Sequence, residues 1–440
     1  MLRRSARSVL LLLALGGSAL AADPGGPASP ALQGLEPLYP ELDALYRDLH
    51  QSPELSTREE NTAAKMAQRL RALGFEVTEK VGGHGVVGLL RNGKGPTVMV
   101  RTEFDGLPVE EKTGLPYASK VTARDPSGQT VPVMHACGHD VHMTAWVGTA
   151  TLLARSKDRW RGTLMMVGQP AEEFGSGART MLDAGLFKRF PKPDFALAVH
   201  NLASAASGTV EHVSGFAFAS VDSVDVTLYG KGGHGAYPHT TVDPVLLAAR
   251  TVLSLQTIVS RERNPMEPAV VTVGSIHGGT KHNIIPDEVK LQITVRSYKP
   301  EVRKQILDAI ERIAKGESIA AGSPRPPSVA VTEGTPATYN DPELLKRVLP
   351  AVARAVGAEN VREGTPTMGG EDFSEYGRVG VPSVMFWIGT VEPKRLQAAQ
   401  KAGETLPSLH SGLFAPDRER TIRTGVSTLV SASLELLGKP

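Results

Sequence analysis

Between about Leu38 and Val213, hydrophobic positions recur with helical and strand periods in alternation. Residues 41–50 and 58–73 have the helical period, and Gly74 predicts the end of the second helix. Short apolar runs predict buried strands at 85–90, 97–103, 163–169 and 194–200. This alternation is typical of a doubly wound α/β domain, in which helices cover both faces of a largely parallel sheet.

The pattern changes near Phe216, where the hydrophobic periods predict strand, helix, strand, strand, helix and strand. This β-α-β-β-α-β order is that of a ferredoxin-like unit. After Thr335 the chain returns to helix and strand patterns like those of its first half. We therefore predict an inserted domain at 216–335, which divides the main domain into residues 38–215 and 336–440.

The first residues have the order of a secretory signal peptide. Three arginines precede an apolar run at 9–15, and Ala-Leu-Ala follows at 19–21. The run is shorter than the roughly 20 residues that a membrane-spanning helix needs. We expect a signal peptide at 1–21 and export to the periplasm or the medium, with no membrane attachment after its removal. Residues 22–37, rich in proline, glycine and alanine, predict a linker.

Composition narrows the class of partner. The chain has 48 lysines and arginines against 46 aspartates and glutamates, a formal net charge of +2. Because both signs are interspersed, no surface for nucleic acid or membrane is indicated, and a small molecule is the expected partner. The single cysteine, Cys137, excludes an internal disulfide. A lone thiol in an exported protein therefore needs another explanation.

The segment 134–142 contains three histidines, the thiol and a carboxylate directly before an apolar helix. In an extended backbone Cys137 and His139 would point the same way, and Gly138 would let other groups approach. Thiolate and imidazole are good ligands for zinc-like ions. Two alternatives stay open for Cys137, which are a buried structural cysteine and a nucleophile with a histidine as base.

Two adjacent acids, Glu172 and Glu173, follow a predicted strand and precede a glycine-rich turn. Adjacent residues that leave a strand face opposite ways, so one carboxylate can bind a metal while the other acts as a general base. The alternative is that Glu172 and Glu173 are solvent-exposed acids on a surface loop and take no part in a site. Asp105 and His200 fall at the ends of other predicted strands, where ligands of open α/β sheets bind, which favours the site.

Several segments in order carry a resemblance to a known family: EFDGLPVEE, HACGHDVHM, GQPAEEFGSGA, AVHN, GKGGHGAYPH, GGTKHNIIPDE, MGGEDFSEY and LHSGLF. The chain resembles the dinuclear metallohydrolases related to aminoacylase and glutamate carboxypeptidase. It is most similar to the branch of hippurate hydrolases and indole-acetyl-amino-acid hydrolases. The resemblance implies that the main domain is catalytic and binds two metal ions. It also implies that the inserted domain is a lid or dimerisation domain, which allows a homodimer.

The resemblance also implies roles for single residues. The metal ligands would be Cys137, His139, Glu173, His200 and His410, with Glu172 as the general base. His234 would help to polarise the scissile carbonyl, and the resemblance allows it to come from a partner subunit. The substrate would be bound by Asn283, Arg296, Gly369 and Gly370, and Asp105 would orient a metal ligand. Glu103 and Gly106 depart from the Asp-x-Asp-Ala of relatives, which puts the metal preference and the pocket shape in question.

The expected activity is metal-dependent hydrolysis of N-acyl or N-aroyl amino acids that carry a free carboxylate, with Glu172 as base. Zinc is favoured because a thiolate ligand is soft, and manganese, cobalt and nickel are alternatives. A metallo-carboxypeptidase or dipeptidase acting on short peptides is the nearest alternative function. A non-catalytic binding module is another, although it would have no use for an unligated acid beside a metal.

Overall fold

The computed structural model describes residues 29–439 of the chain. Its α-helices are α1 Leu35–Gln51, α2 Glu60–Ala72, α3 His139–Arg155, α4 Gly177–Asp183, α5 Leu186–Arg189, α6 Pro244–Thr257, α7 Pro300–Ala320, α8 Pro342–Val356, α9 Ser374–Arg378, α10 Pro393–Ala402 and α11 Arg418–Leu436. Its strands are β1 Glu76–Thr78, β2 Val86–Asn92, β3 Thr97–Glu103, β4 Thr122–Arg124, β5 Thr130–Pro132, β6 Gly162–Gln169, β7 Phe195–Ala206, β8 Val210–His212, β9 Gly215–Phe218, β10 Ser220–Tyr229, β11 Gly233–His234, β12 Ala269–His277, β13 Ile284–Ile285, β14 Glu288–Ser297, β15 Ser328–Glu333, β16 Thr338–Asn340, β17 Val361–Glu363 and β18 Ser383–Val391.

The largest sheet is mixed and has the strand order β1-β2-β6-β3-β7-β18-β8-β17. Its central strands β6, β3, β7 and β18 are parallel, and β2 and β8 flank them in the antiparallel direction. In β3, Val98 and Val100 pack with residues of α1, α3, α8 and α11, while Met99 packs on the other side with α4 and α9. Successive side chains of a strand face opposite ways, so helices cover both faces. The predicted doubly wound α/β domain is confirmed.

The second sheet has the order β12-β14-β10-β15, and all its neighbouring strands are antiparallel. One of its faces packs against α6 and α7, because alternate residues such as Val224, Val226 and Leu228 are buried there. With β10, α6, β12, β14, α7 and β15 in chain order, this is a ferredoxin-like unit, as predicted. Its strands lie between Ser220 and Glu333, inside the segment 216–335 assigned to it from the sequence.

The N-terminal part differs from the prediction of a linker at 22–37. Pro30–Gly34 forms a 3-10 helix with Ala31 buried, and α1 already begins at Leu35. The fixed φ of proline suits the first helical position, and Leu35 extends the buried stripe of α1 by one turn. The predicted signal peptide at 1–21 lies outside the described residues. Across residues 29–439, every helix is too short or too polar to cross a membrane.

Candidate active site

A cavity of about 700 Å³ lies beyond the carboxyl end of β6 and beside β7. The predicted site residues that line it are Cys137, Glu172, Glu173, His200, Arg296, Gly369, Gly370 and His410. Arg296 reaches it from β14 of the inserted unit, and the other residues belong to the catalytic domain. A Cβ on Gly370 would lie 2.4 Å from Cγ2 of Val221, which explains why this wall has no side chain there.

A tight turn, and not an extended backbone, presents Cys137 and His139. Gly138 has a left-handed conformation with φ 78°, and α3 begins at His139. The side-chain amide of Asn201 donates hydrogen bonds to the carbonyls of Cys137 at 3.2 Å and Gly138 at 2.9 Å. A Cβ on Gly138 would lie 2.2 Å from this amide nitrogen, so the turn requires glycine. The extended geometry expected from the sequence is therefore wrong, although both side chains still reach the site.

The five predicted ligands converge. Sγ of Cys137 lies 3.6 Å from Nε2 of His200, and Nε2 of His410 lies 3.3 Å from Oε1 of Glu173. Nε2 of His139 is 3.9 Å from this same Glu173 oxygen. Donor atoms of Cys137, His139 and His200 lie within 4.8 Å of one another, as do those of Cys137, Glu173 and His410. Two overlapping groups that share Cys137 could thus each hold a cation.

Asp105, predicted to orient a metal ligand, lies against the ring of His139. Nδ1 of His139 lies 2.8 Å from the Asp105 carbonyl oxygen and 3.4 Å from its Oδ1. Oδ2 of Asp105 accepts hydrogen bonds from the Ser56 hydroxyl at 2.6 Å and the Glu173 amide at 3.0 Å. Since Nδ1 faces Asp105, Nε2 of His139 points its lone pair into the cluster, and this buried atom has no hydrogen-bond partner among the described residues.

Charge is concentrated around Glu172. Burial raises the pKa of its carboxyl well above the ordinary value, and the carboxylates of Glu371 and Glu173 raise it further. Burial likewise raises the pKa of the Cys137 thiol, with Glu173 and Glu172 adding to the effect. Burial lowers the pKa of His139, but Asp105 and the neighbouring acids outweigh it and raise the value to about 10. A cation would offset this mutual repulsion, so the donor set fits divalent metal ions.

Sequence reasoning missed a buried ionic network beneath the cluster. Arg101, fully buried in β3, donates to Glu371 and Asp372 at 2.8 Å each and to Gln169 at 3.0 Å. Its Nη1 lies 3.1 Å from Oε1 of Glu103. The available signal was a charged residue inside an apolar strand, which requires buried acidic partners.

His234 and Asn283 lie apart from the cavity. His234 is exposed on β11, which pairs with β13, and Asn283 precedes β13. The amide of Gly235 donates to the Asn283 carbonyl at 2.9 Å, so His234 and Asn283 are neighbours on this two-stranded sheet. Neither lines the cavity formed within residues 29–439 of one chain. Their predicted roles therefore depend on domain closure or on a second copy of the chain.

Comparison with known proteins gives concordant matches. The model of "Peptidase family M20/M25/M40" matches residues 99–407. The chain is 37% identical over 378 residues to thermostable carboxypeptidase 1 of Saccharolobus solfataricus, covering 85% of this chain and 90% of that protein. It is 37% identical over 280 residues to hippurate hydrolase of Campylobacter jejuni, covering 63% and 70%. Among solved structures, the YXEP protein of Bacillus subtilis, described as a dinuclear metal-binding peptidase, has a TM-score of 0.74 and 28% identity, covering 91% of this chain and all of that one.

Proposed function

Since the chain belongs to peptidase family M20/M25/M40 and is a hydrolase of amide or peptide bonds, we propose that it cleaves N-acyl or N-aroyl amino acids with a free carboxylate. The observation that carries the proposal is the convergence of five side chains suited to metal binding, four of which line one cavity together with the buried acid Glu172. The cavity also contains the guanidinium of Arg296, which has no ion-pair partner among residues 29–439. A substrate carboxylate would supply that partner.

Two divalent ions would be held by Cys137, His139, Glu173, His200 and His410. When bound, such ions supply Lewis-acid chemistry and lower the pKa of water to about 7. We propose zinc because the set contains a soft thiolate and three imidazoles. Asp105 would keep the His139 ring in the tautomer and orientation that a ligand needs.

Glu172 would act as the general base. Its Oε2 lies 3.9 Å from Nε2 of His139, the same distance as Oε1 of Glu173, so its carboxylate borders the proposed ligands. Its carboxylate would take a proton from water and transfer it to the leaving nitrogen.

The apolar part of the cavity supports an acyl or aroyl group on the substrate. Phe218 and Trp387 line it with ring centroids 5.2 Å apart, and the His200 ring lies 5.9 Å from Phe218. An aromatic wall beside the proposed ligands would bind a benzoyl or similar group through apolar burial and ring contacts. Carboxypeptidase activity is the second candidate, because thermostable carboxypeptidase 1 of Saccharolobus solfataricus is similar to this chain over 85% of its length.

The proposal includes two features of the whole protein. His234 would complete the site from a second copy of the chain or after closure of the inserted domain, as a group that polarises the scissile carbonyl. Export to the periplasm or the medium would follow from the charged and apolar order of the first 21 residues.

The test is a substrate panel with purified protein. N-benzoylglycine, N-acetyl amino acids and peptides with free C-termini are incubated with metal-free protein and with zinc, manganese, cobalt or nickel added back. We expect hydrolysis of N-acyl or N-aroyl amino acids only after metal is added. Faster cleavage of peptides would favour the carboxypeptidase. Activity that resists chelation but not thiol alkylation would replace the proposal with a cysteine nucleophile.

A further inference from the structure

We propose that Glu103 is an additional ligand of the metal pair, bringing a carboxylate oxygen to a position between His139 and His200. This inference rests on the two-metal function proposed above and concerns a residue outside the five predicted ligands. It assigns a chemical consequence to the one extra methylene that distinguishes this glutamate from the aspartate of related sequences.

The topology places Glu103 at the centre of the site. It is the last residue of β3, the strand that lies between β6, which leads to Glu172 and Glu173, and β7, which carries His200. The side chain of Glu103 is completely buried, so water does not solvate its carboxylate. The folded protein loses stability if an oxygen of such a buried carboxylate has no hydrogen-bond donor or cation beside it.

One oxygen of Glu103 is fully used. Nε2 of His142 accepts a hydrogen bond from the backbone N–H of Asn201 at 2.9 Å, so this nitrogen carries no proton. In neutral His142 the proton is then on Nδ1, which donates to Oε1 of Glu103 at 3.1 Å. Nη1 of Arg101 lies 3.1 Å from the same oxygen. With both of its nitrogens engaged, His142 holds Glu103 in place and is not itself available to a metal.

The other oxygen of Glu103 is free. Oε2 is buried and has no hydrogen-bond partner among the described residues, and the same is true of Nε2 of His139. The carboxylate reaches both predicted ligand histidines, since its Oε1 lies 4.0 Å from Nε2 of His139 and donor atoms of Glu103, His200 and Glu371 lie within 4.8 Å of one another. Both unpartnered atoms are lone-pair donors, so a cation bound beside His139 could be ligated by Nε2 of His139 and by the Glu103 carboxylate together.

Side-chain length and charge support the assignment. An aspartate at this position would end about one carbon–carbon bond, roughly 1.5 Å, short of the glutamate carboxylate. Two divalent ions carry four positive charges, whereas the thiolate of Cys137 and the carboxylate of Glu173 supply two negative ones. Glu103 adds a third. As a hard oxygen donor it should increase affinity for manganese more than affinity for zinc.

The experiment measures metal binding directly. Metal-free wild type, Glu103→Gln, Glu103→Asp and Asp372→Asn are titrated separately with Mn²⁺ and Zn²⁺ by competition with a chelator, and elemental analysis gives the stoichiometry. Asp372 is the matched control because it binds Arg101 as Glu103 does but is not a member of the two groups that place Glu103 with His139 and with His200. Thermal unfolding of each metal-free protein checks that it is folded.

We expect the Mn²⁺ affinity of Glu103→Gln to fall at least ~100-fold, the upper end of the loss seen for partners of metal ligands, and the Zn²⁺ affinity to fall less. Glu103→Asp should show the same Mn²⁺-selective loss, since its charge stays but its reach is shorter. Wild-type affinities in both Glu103 variants would overturn the proposal, as would equal losses for the two metals. A loss of the same size in Asp372→Asn would assign the effect to Arg101 instead. A wild type that binds neither metal would overturn the proposed function itself, and the inference with it.

Discussion

Replacement of Glu172 by glutamine should separate activity from stability, because the same carboxylate that serves as base is unfavourable in the metal-free fold. The amide keeps the size of the side chain but cannot take a proton. Turnover should fall by about 10²–10⁴-fold, the usual contribution of a general base. At 1.36 kcal/mol for each factor of ten, this is about 2.7 to 5.4 kcal/mol of barrier. Metal content should stay unchanged, since Glu172 is outside the proposed ligand set.

The stability of the metal-free protein should change in the opposite direction. Burial and the nearby Glu371 and Glu173 raise the pKa of Glu172 in the folded state above its ordinary value of 4.5. A raised folded pKa means that stability is lost as the pH rises through the interval between the unfolded and folded values. Glutamine has no such loss. Glu172→Gln should therefore unfold at the same temperature as wild type below about pH 4, and at a higher temperature near pH 7.

The assay combines steady-state kinetics of the metal-loaded protein with thermal unfolding of the metal-free protein across pH 4 to 8. Glu54→Gln is a control, because this carboxylate does not line the cavity and accepts hydrogen bonds at the start of α2 from the Asn61 side chain and from the amides of Asn61 and Thr62. Near-normal turnover with full metal content would remove Glu172 from the mechanism. Lower stability of the metal-free variant at pH 7 would refute the argument from charge repulsion.

Three other predictions follow from the site. Alkylation of Cys137 should be slow in metal-loaded protein and faster after chelation, and equal rates would return it to a structural role. His234→Ala should lower turnover without changing metal content, and mixing it with Glu172→Gln should restore some activity if subunits exchange; normal activity of the single variant would exclude the role. Arg101→Met should lower the free energy of unfolding by about 3–5 kcal/mol, since it leaves its buried acids uncompensated. The same change at the exposed Arg91 should cost at most ~1 kcal/mol by chemical denaturation, and a similar cost at both positions would contradict the argument.

The part of the site that follows strand ends could be predicted from the sequence. Glu172, Glu173 and Asp105 come just after apolar runs, and the rule that ligands bind beyond the carboxyl ends of strands places them together. The ferredoxin-like order was also readable, since its strands alternate buried and exposed residues as in β10. These features depend on local periodicity, which a single sequence displays.

Other features depend on contacts between distant parts of the chain. His410 has a left-handed backbone with φ 65° and approaches Glu173 from a loop far along the sequence, so no local pattern marks it. The turn at Gly138 is set by hydrogen bonds from Asn201, more than 60 residues away. Only the resemblance to relatives pointed to His410, and nothing in the local pattern of residues 134–142 indicated the turn.

Arg101 helps to explain how several acidic side chains can be buried close together in the metal-free protein. Its guanidinium is paired with Glu371 and Asp372 and lies against Glu103, so these three carboxylates share one fixed positive charge that belongs to β3. Within residues 29–439, Glu172 and Glu173 have no lysine or arginine partner, and both line the cavity. A buried arginine always carries its charge, whereas a metal ion can be bound and released. The fold therefore depends on Arg101 for stability and leaves Glu172 and Glu173 for metal and substrate, which is why loss of Arg101 should destabilise the protein and loss of Glu172 should not.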